Sequence, residues 1–432
     1  MLESWREEFE SKHILIWGYG LEGRSTYRFI RRILPDQELV IADKRAQKDL
    51  DQIQKDTVHT QVIHEDEIRF EDYDLVMKSP GIVPPAELPL EKIHGQAPMF
   101  LKHYRNQVVG VTGTKGKSTT TSLIHAVLSQ KYPCHLVGNI GNPCFDVIED
   151  MEKGDLAAFE ISCHQLEYSA YSPHIAVYLN LYQEHLDHYG TFEQYGKAKD
   201  QIFLHQEEDD LLIIHQDIAK RTTRKNTLYI GKDIYAEGKT LTDPAGKTVV
   251  TNCALIGDHN YQNLAVARYI GRLYGISDEE FTNAAASFQP LHHRLEPVGE
   301  KDGVLYINDS ISTIGPSAIR AMEALPDTEV ILIGGKDRGI EYKELEEYLL
   351  AHDQIKVILM YATGKRILTE LQALTTDLSR FYYAEDLAQA VALAKTLVSP
   401  GRICLLSPAA SSYDHFRNFE ERGEIFGKLA MS

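Results

Sequence analysis

The sequence predicts an α/β protein of three nucleotide-fold units in series, each a mainly parallel Rossmann-like sheet with helices, the central one carrying a phosphate loop. Three observations carry this expectation. Short apolar runs alternate with helix-length ones along most of the chain; G-x-G-x-x-G follows the first run; and a lysine-bearing glycine loop follows a later one. A chain of 432 residues is too long for one core, and the seams in the pattern place the units at residues 1–105, 106–290 and 291–432.

Composition narrows the function. With 43% hydrophobic and 25% charged residues and no apolar run of spanning length, membrane insertion is not expected. The acidic start M-L-E-S-W-R-E-E-F-E lacks the basic and apolar regions of a secretory signal, so a cytoplasmic location is expected. A net charge of −18 disfavours nucleic acid as a partner, which leaves local cations and backbone N–H groups to hold any anionic ligand. Five scattered cysteines, none as C-x-x-C, read as small buried hydrophobes and not as a disulfide or zinc framework.

In the first unit, H-I-L-I-W-G, L-E-G-R-S-T-Y-R-F-I-R-R-I-L, E-L-V-I-A-D and Y-D-L-V-M-K-S-P-G-I alternate strand and helix patterns. Gly18, Gly20 and Gly23 form the glycine turn, and Asp43 ends the next strand at the dinucleotide-fold spacing. The turn points to a nucleotide or sugar-nucleotide pocket; close helix-to-strand packing would also explain it.

The second unit opens with G-V-T-G-T-K-G-K-S-T-T-T at residues 110–121, between apolar Val108-Val109 and a helical run. Glycines there let the backbone approach phosphate oxygens at a helix N-terminus. Gly113, Thr114, Lys115, Gly116, Lys117, Ser118 and Thr119 are the expected triphosphate contacts, with Lys117 on the outer phosphates and a hydroxyl of Ser118 or Thr119 for Mg²⁺. Glu160, ending the buried run D-L-A-A-F-E, is the expected metal carboxylate. Glu184, His185, Asp187 and His188 cluster after another strand; no third ligand has zinc spacing, so oxygen-rich magnesium chemistry suits the cluster better. Residues 229–253 read as a meander of short strands. The third unit alternates again through V-L-Y-I-N-D-S, E-V-I-L-I-G-G, I-K-V-I-L-M-Y, R-F-Y-Y-A and R-I-C-L-L-S-P.

Taken together, T-G-T-K-G-K-S-T-T (112–120), G-N-I-G-N-P (138–143), F-E-I-S-C-H-Q-L-E (159–167), N-L-Y-Q-E-H-L-D-H (180–188), Y-G-K-A-K (195–199), G-D-H-N-Y-Q-N (257–263), H-R-L-E (293–296), N-D-S (308–310) and the C-terminal L-S-P-A-A-S-S-Y-D-H-F-R-N-F-E-E-R-G (406–423) resemble the Mur ligases over the whole chain. The length, the N-terminal glycine turn and K-S-P-G at 78–81 resemble the branch that joins glutamate to UDP-N-acetylmuramoyl-L-alanine in peptidoglycan precursor synthesis.

The resemblance implies an ATP-dependent amide-forming ligase working through an acyl phosphate. The first unit would hold the UDP-sugar, the second ATP and the third the amino acid. It implies catalytic roles for Lys117, His185, Lys199 and Arg294, and ATP contacts at Asn260, Asn263, Arg294 and Asp309. It implies two Mg²⁺ sites drawing on Ser118, Glu160, His185 and Lys199, the last as a CO₂-derived carbamate. Asp43, Arg45, Ser79, Gly81 and Asn139 join the glycine turn as UDP-sugar contacts, and Thr313, Arg338, Ser412 and Phe419 match glutamate-holding positions. A monomer is expected.

Two departures in the family's D-S-K-A-T-N stretch remove a polar side chain: Ile311 replaces its lysine and Ile314 its asparagine, which opens L-glutamate as an alternative to D-glutamate. Arg338 replaces a lysine but keeps a cation able to bind a carboxylate bidentately. Three rivals explain less. A folylpolyglutamate synthetase would start near its phosphate loop, a non-catalytic nucleotide-binding paralogue leaves the retained ionisable residues without a purpose, and an NAD-dependent dehydrogenase accounts only for the first unit.

Overall fold

The computed structural model describes all residues except Met1, 45–58, Ala86 and Leu291, so Arg45 lies outside the described residues. The chain divides into two units. One comprises Met1–Leu181, Glu193–Ile234 and Val266–Phe281; the other comprises Tyr182–Phe192, Tyr235–Ala265 and Thr282–Ser432.

The first of these units holds two parallel sheets. In one, Ile14–Trp17 lies between Leu39–Asp43 and Leu75–Lys78, with Thr60–His64 and Ile93–His94 at the edges. Ile14–Trp17 and Leu75–Lys78 are buried along their whole length, as strands covered on both faces must be. The strand order reverses between these two, so a crevice opens at their carboxyl ends. Trp5, Phe9, Phe29 and Phe145 pack beside this sheet with ring centroids 5.0 to 6.5 Å apart.

In the other sheet Val108–Thr112 lies between Leu156–Glu160 and Ile175–Tyr178, flanked outward by Cys134–Gly138 and by Leu211–His215 with Thr227–Ile230; every pairing is parallel. Val108–Thr112 is entirely buried and sits at this sheet's reversal of order, so the loop that follows it emerges at a second switch point.

The second unit holds a six-stranded sheet, ordered Glu296–Lys301, Val304–Asn308, Ile403–Leu406, Thr328–Gly334, Lys356–Met360, Phe381–Ala384, with only the first pair antiparallel. It also holds a meander of Tyr235–Glu237, Thr240–Asp243 and Gly246–Val249. That meander is shorter than the pattern of 229–253 predicts, because Tyr229 and Ile230 pair in the parallel sheet instead. Of the five cysteines, Cys144, Cys163 and Cys404 are buried as expected, whereas Cys134 and Cys253 are only half-buried.

Candidate active site

The glycine loop after Val108–Thr112 turns into the helix Lys117–Leu128 through Gly116, whose φ of +84° lies in the left-handed region that glycine occupies without cost. Gly113 has φ +151°, and a Cβ there would approach Leu179 Cβ at 3.1 Å and Asn180 N at 3.3 Å. The loop is fixed from beneath. Asn180 Oδ1 accepts from Thr114 N at 3.1 Å and Lys115 N at 2.8 Å, its Nδ2 donates to Lys115 O at 2.9 Å, and its carbonyl also accepts from Thr114 N at 3.0 Å. The hydroxyls of Thr114 and Tyr195 meet at 3.1 Å, and Lys199 Nζ donates to Gly113 O at 2.8 Å while lying 4.8 Å from the Tyr195 ring centroid. Lys117 Nζ donates to Thr114 O at 3.0 Å, which holds its charge over the loop.

Glu160 ends the neighbouring strand with 1% of its surface exposed. Asn139 Nδ2 donates to its Oε1 at 3.0 Å, and its Oε2 is buried without a hydrogen-bond partner. A buried carboxylate oxygen is costly to leave so, and a cation is the natural counterpart. Thr119 is buried and its Oγ1 also lacks a partner, while Ser118 at the helix start is half-buried. Gly138 lets Asn139 approach: a Cβ at Gly138 would sit 2.3 Å from Glu160 O.

At the first sheet's crevice the three glycines do different jobs. Gly18 has φ +91°, and its carbonyl accepts from Ser79 Oγ at 3.1 Å. Gly23 is the packing glycine, since a Cβ there would sit 2.0 Å from Gly18 O. Gly20 is exposed and has nothing within 4 Å of its would-be Cβ, leaving room for a ligand, as does Gly81. Asp43 Oδ2 accepts from Tyr19 N at 2.6 Å, so it also fixes the turn. Lys78 Nζ donates to the carbonyls of Ser79, Pro80 and Ile82 at 3.2, 3.1 and 2.8 Å, closing the S-P-G turn; burial pushes its pKa down to about 8. Burial raises the Glu22 carboxyl to about 7, against a hydrogen bond from Gln165 at 2.6 Å.

In the second unit, Asp309 follows Val304–Asn308 and is 2% exposed; Ser407 Oγ donates to it at 2.8 Å and Leu295 N at 3.3 Å. Burial raises its pKa, opposed by Ser312, Ser407 and the charge of Arg294. Arg294 sits between His293 and Leu295, both at positive φ (63° and 45°), a strained turn of the kind concentrated at working sites. Asn260 donates to Ile256 O at 2.7 Å and accepts from Asn263 Nδ2 at 3.3 Å, so the two amides brace the start of the helix Asp258–Leu273. His185, at φ +57°, caps the short helix Leu186–Tyr189, and Glu184 beside it accepts from Thr313 Oγ1 at 2.7 Å. Arg338 is half-buried with its Nε lacking a hydrogen-bond partner. Ser412 is 4% exposed, and Phe419 opens the last helix, its carbonyl accepting from Ser310 Oγ at 2.8 Å.

Residues 111–271 match the Mur ligase middle domain family. The chain is 31% identical, over 98% of its own length and 97% of the relative's, to the UDP-N-acetylmuramoylalanine--D-glutamate ligase of Acidobacterium capsulatum. The chain belongs to the Mur ligase family. It is also 32% identical, over 98% of itself and 96% of the relative, to the UDP-N-acetylmuramoyl-L-alanine--L-glutamate ligase of Xanthomonas oryzae pv. oryzae. Among solved structures, MurF from Acinetobacter baumannii superposes with a TM-score of 0.64 at 18% identity, covering 91% of this chain and 90% of that one, a likeness of fold.

Several residues inside the quoted motifs make contacts that their spacing does not assign. Asn180 and Tyr195 frame the phosphate loop through contacts 65 and 81 positions away. Arg422 is wholly buried, bound to Ser310 Oγ and O and to Ala410 O at 2.7 to 3.0 Å, and burial lowers its pKa to about 9. His259 is pushed down to about 4 by burial, then by the charges of Arg294 and Arg320. The position of Arg422 in the quoted C-terminal motif was the one available signal for it.

Proposed function

We propose that this Mur ligase joins D-glutamate to UDP-N-acetylmuramoyl-L-alanine at the expense of ATP, in the cytoplasm, as a step of peptidoglycan precursor synthesis. The observation that carries the reading is the phosphate loop at a switch point beside Glu160, whose buried Oε2 has no hydrogen-bond partner. The near-full-length relatives supply the substrates through their names.

The acceptor's alanyl carboxylate attacks the γ-phosphorus of ATP: an O–P bond forms, the bond to the β-phosphate oxygen breaks, and ADP leaves. The glutamate amine then attacks the acyl carbon; the C–N bond forms, the C–O bond to phosphate breaks, and the amine's proton goes to solvent or base. Both steps need charge neutralisation and alignment more than covalent help. Lys117 neutralises the moving phosphoryl group, and the helix N-terminus of Lys117–Leu128 adds fixed dipoles. Arg294 and Asp309 serve the nucleotide's phosphate and ribose, and Asn260 with Asn263 its base.

Magnesium, held by Ser118 and Glu160 and at a second position by His185 and Lys199, would supply further charge neutralisation. The orphaned oxygen of Glu160 suits that cation. Carbamylation of Lys199 would leave one N–H on its nitrogen, enough to keep the bond to Gly113 O. Full activity of Lys199→Ala would contradict its assigned role.

Gly18, Gly20, Ser79, Gly81, Asp43, Arg45 and Asn139 hold the UDP-sugar. Thr313, Arg338, Ser412 and Phe419 hold glutamate, with the Arg338 guanidinium on a carboxylate. The second reading, L-glutamate, is favoured by the Xanthomonas relative and by Ile311. Phosphate release with UDP-N-acetylmuramoyl-L-alanine and each glutamate enantiomer separates the two. Turnover with D-glutamate is expected, and turnover with L-glutamate alone would replace the first reading by the second.

A further inference from the structure

A phosphate loop binds anions through backbone N–H groups that point at the ligand. In this chain the N–H groups of Thr114 and Lys115 point at Asn180 instead, at 3.1 and 2.8 Å to its Oδ1, and Asn180 Nδ2 returns a bond to Lys115 O at 2.9 Å. One primary amide thus engages two loop donors and one loop acceptor, sharing the Thr114 N–H with the Asn180 backbone carbonyl at 3.0 Å.

We infer that Asn180 is a positioning residue for the nucleotide: it closes the first half of the loop, so that the anion cradle is restricted to the N–H groups from Gly116 onward together with Lys117. This rests on the reading of the loop as an ATP site. The amide is chemically fitted to the task because it both accepts and donates; a carboxylate only accepts, and an aliphatic side chain does neither. The loop carbonyls are used in the same way, Gly113 O by Lys199 at 2.8 Å and Thr114 O by Lys117 at 3.0 Å. The Lys117 ammonium therefore has its resting place set by the carbonyl of a residue whose own N–H Asn180 holds. Loss of the clamp releases the loop and, with it, the lysine.

The test uses the full chain, with Asn180→Ala and Asn180→Asp compared with the parent by MgATP titration calorimetry and by amide hydrogen exchange over residues 110–118. Losing the two accepted bonds in the alanine variant is expected to weaken MgATP binding on the order of tenfold or more. It is also expected to speed exchange at Lys115, with a smaller effect at Thr114, whose N–H keeps the Asn180 backbone carbonyl at 3.0 Å, while the melting temperature and UDP-sugar affinity stay near the parent's. The aspartate variant keeps the acceptor, so those two amides stay protected; MgATP binding still weakens, because it places a charge beside the phosphate site. Parent-like exchange and MgATP affinity in Asn180→Ala would overturn the inference. If the alanine variant does not fold, the aspartate variant decides, since fast exchange at Lys115 there would contradict the clamp. A parent chain that binds no MgATP would overturn the nucleotide reading alone, and the exchange arm would still judge the clamp.

Discussion

Single residues carry sharply different burdens at the two glycine turns. Gly23→Ala places a methyl 2.0 Å from a backbone carbonyl and is expected to cost about 3 kcal/mol of stability by overpacking, read as a lowered denaturation midpoint. Gly20→Ala meets nothing within 4 Å and should leave stability within about 0.5 kcal/mol, weakening UDP-sugar binding instead. At the phosphate loop, Lys117→Ala is expected to lower turnover by on the order of a hundredfold or more through loss of transition-state charge stabilisation, with the fold intact. Glu160→Gln should raise the Mg²⁺ concentration needed for half-maximal activity, measured by magnesium titration. The two departures from the family stretch also separate physically. Ile314 is 1% exposed within the apolar core of the six-stranded sheet, so Ile314→Asn should cost roughly 2 kcal/mol or more by burying an amide. Ile311 is half-buried, and Ile311→Lys should be tolerated in a thermal melt.

At the scale of elements, loops at the carboxyl ends of parallel strands collect the chemistry, and how far that was legible depended on sequence distance. The turn at Gly18, the loop at Gly113 to Ser118 and the strand-end Glu160 announce themselves because glycine, lysine and carboxylate spacing is local. Asn180 does not, because its partners lie 65 positions away and only the parallel pairing of Val108–Thr112 with Ile175–Tyr178 brings them together. Arg422 runs against the rule that guanidiniums stay at the surface, and only its carbonyl partners explain it. Thr313 reads as a glutamate contact, yet its hydroxyl donates to Glu184, a pairing no spacing rule suggests. The helix Leu21–Ile33 carries one pH effect of its own. Glu22 sits near pKa 7 in the folded chain against 4.5 unperturbed, so the folded state holds the extra proton between those values. Stability therefore falls as pH rises through that window. Glu22→Gln should remove this dependence, gaining stability relative to the parent above pH 7 and not below 4.5; urea melts at pH 4.5 and 8 check it.

Across the whole molecule there are two parallel sheets, each with a loop at a strand-order reversal, and a third that is parallel but for its first pair; the proposed reaction assigns sugar nucleotide, ATP and amino acid to them in turn. With a net charge of −18, any anionic substrate has to be held by local cations and backbone N–H groups. Among the described residues, no helix is long and apolar enough to cross a membrane. The fold class was legible because alternation of strand and helix survives in sequence, whereas no periodicity encodes a preference between glutamate enantiomers. The most direct test of the central claim is phosphate release by the purified chain with MgATP, UDP-N-acetylmuramoyl-L-alanine and D-glutamate, with product mass measured in parallel. Release that requires all three substrates and yields one amide-linked glutamyl product per phosphate is predicted. Release that is indifferent to the UDP-sugar, or no release with either glutamate enantiomer, would contradict it.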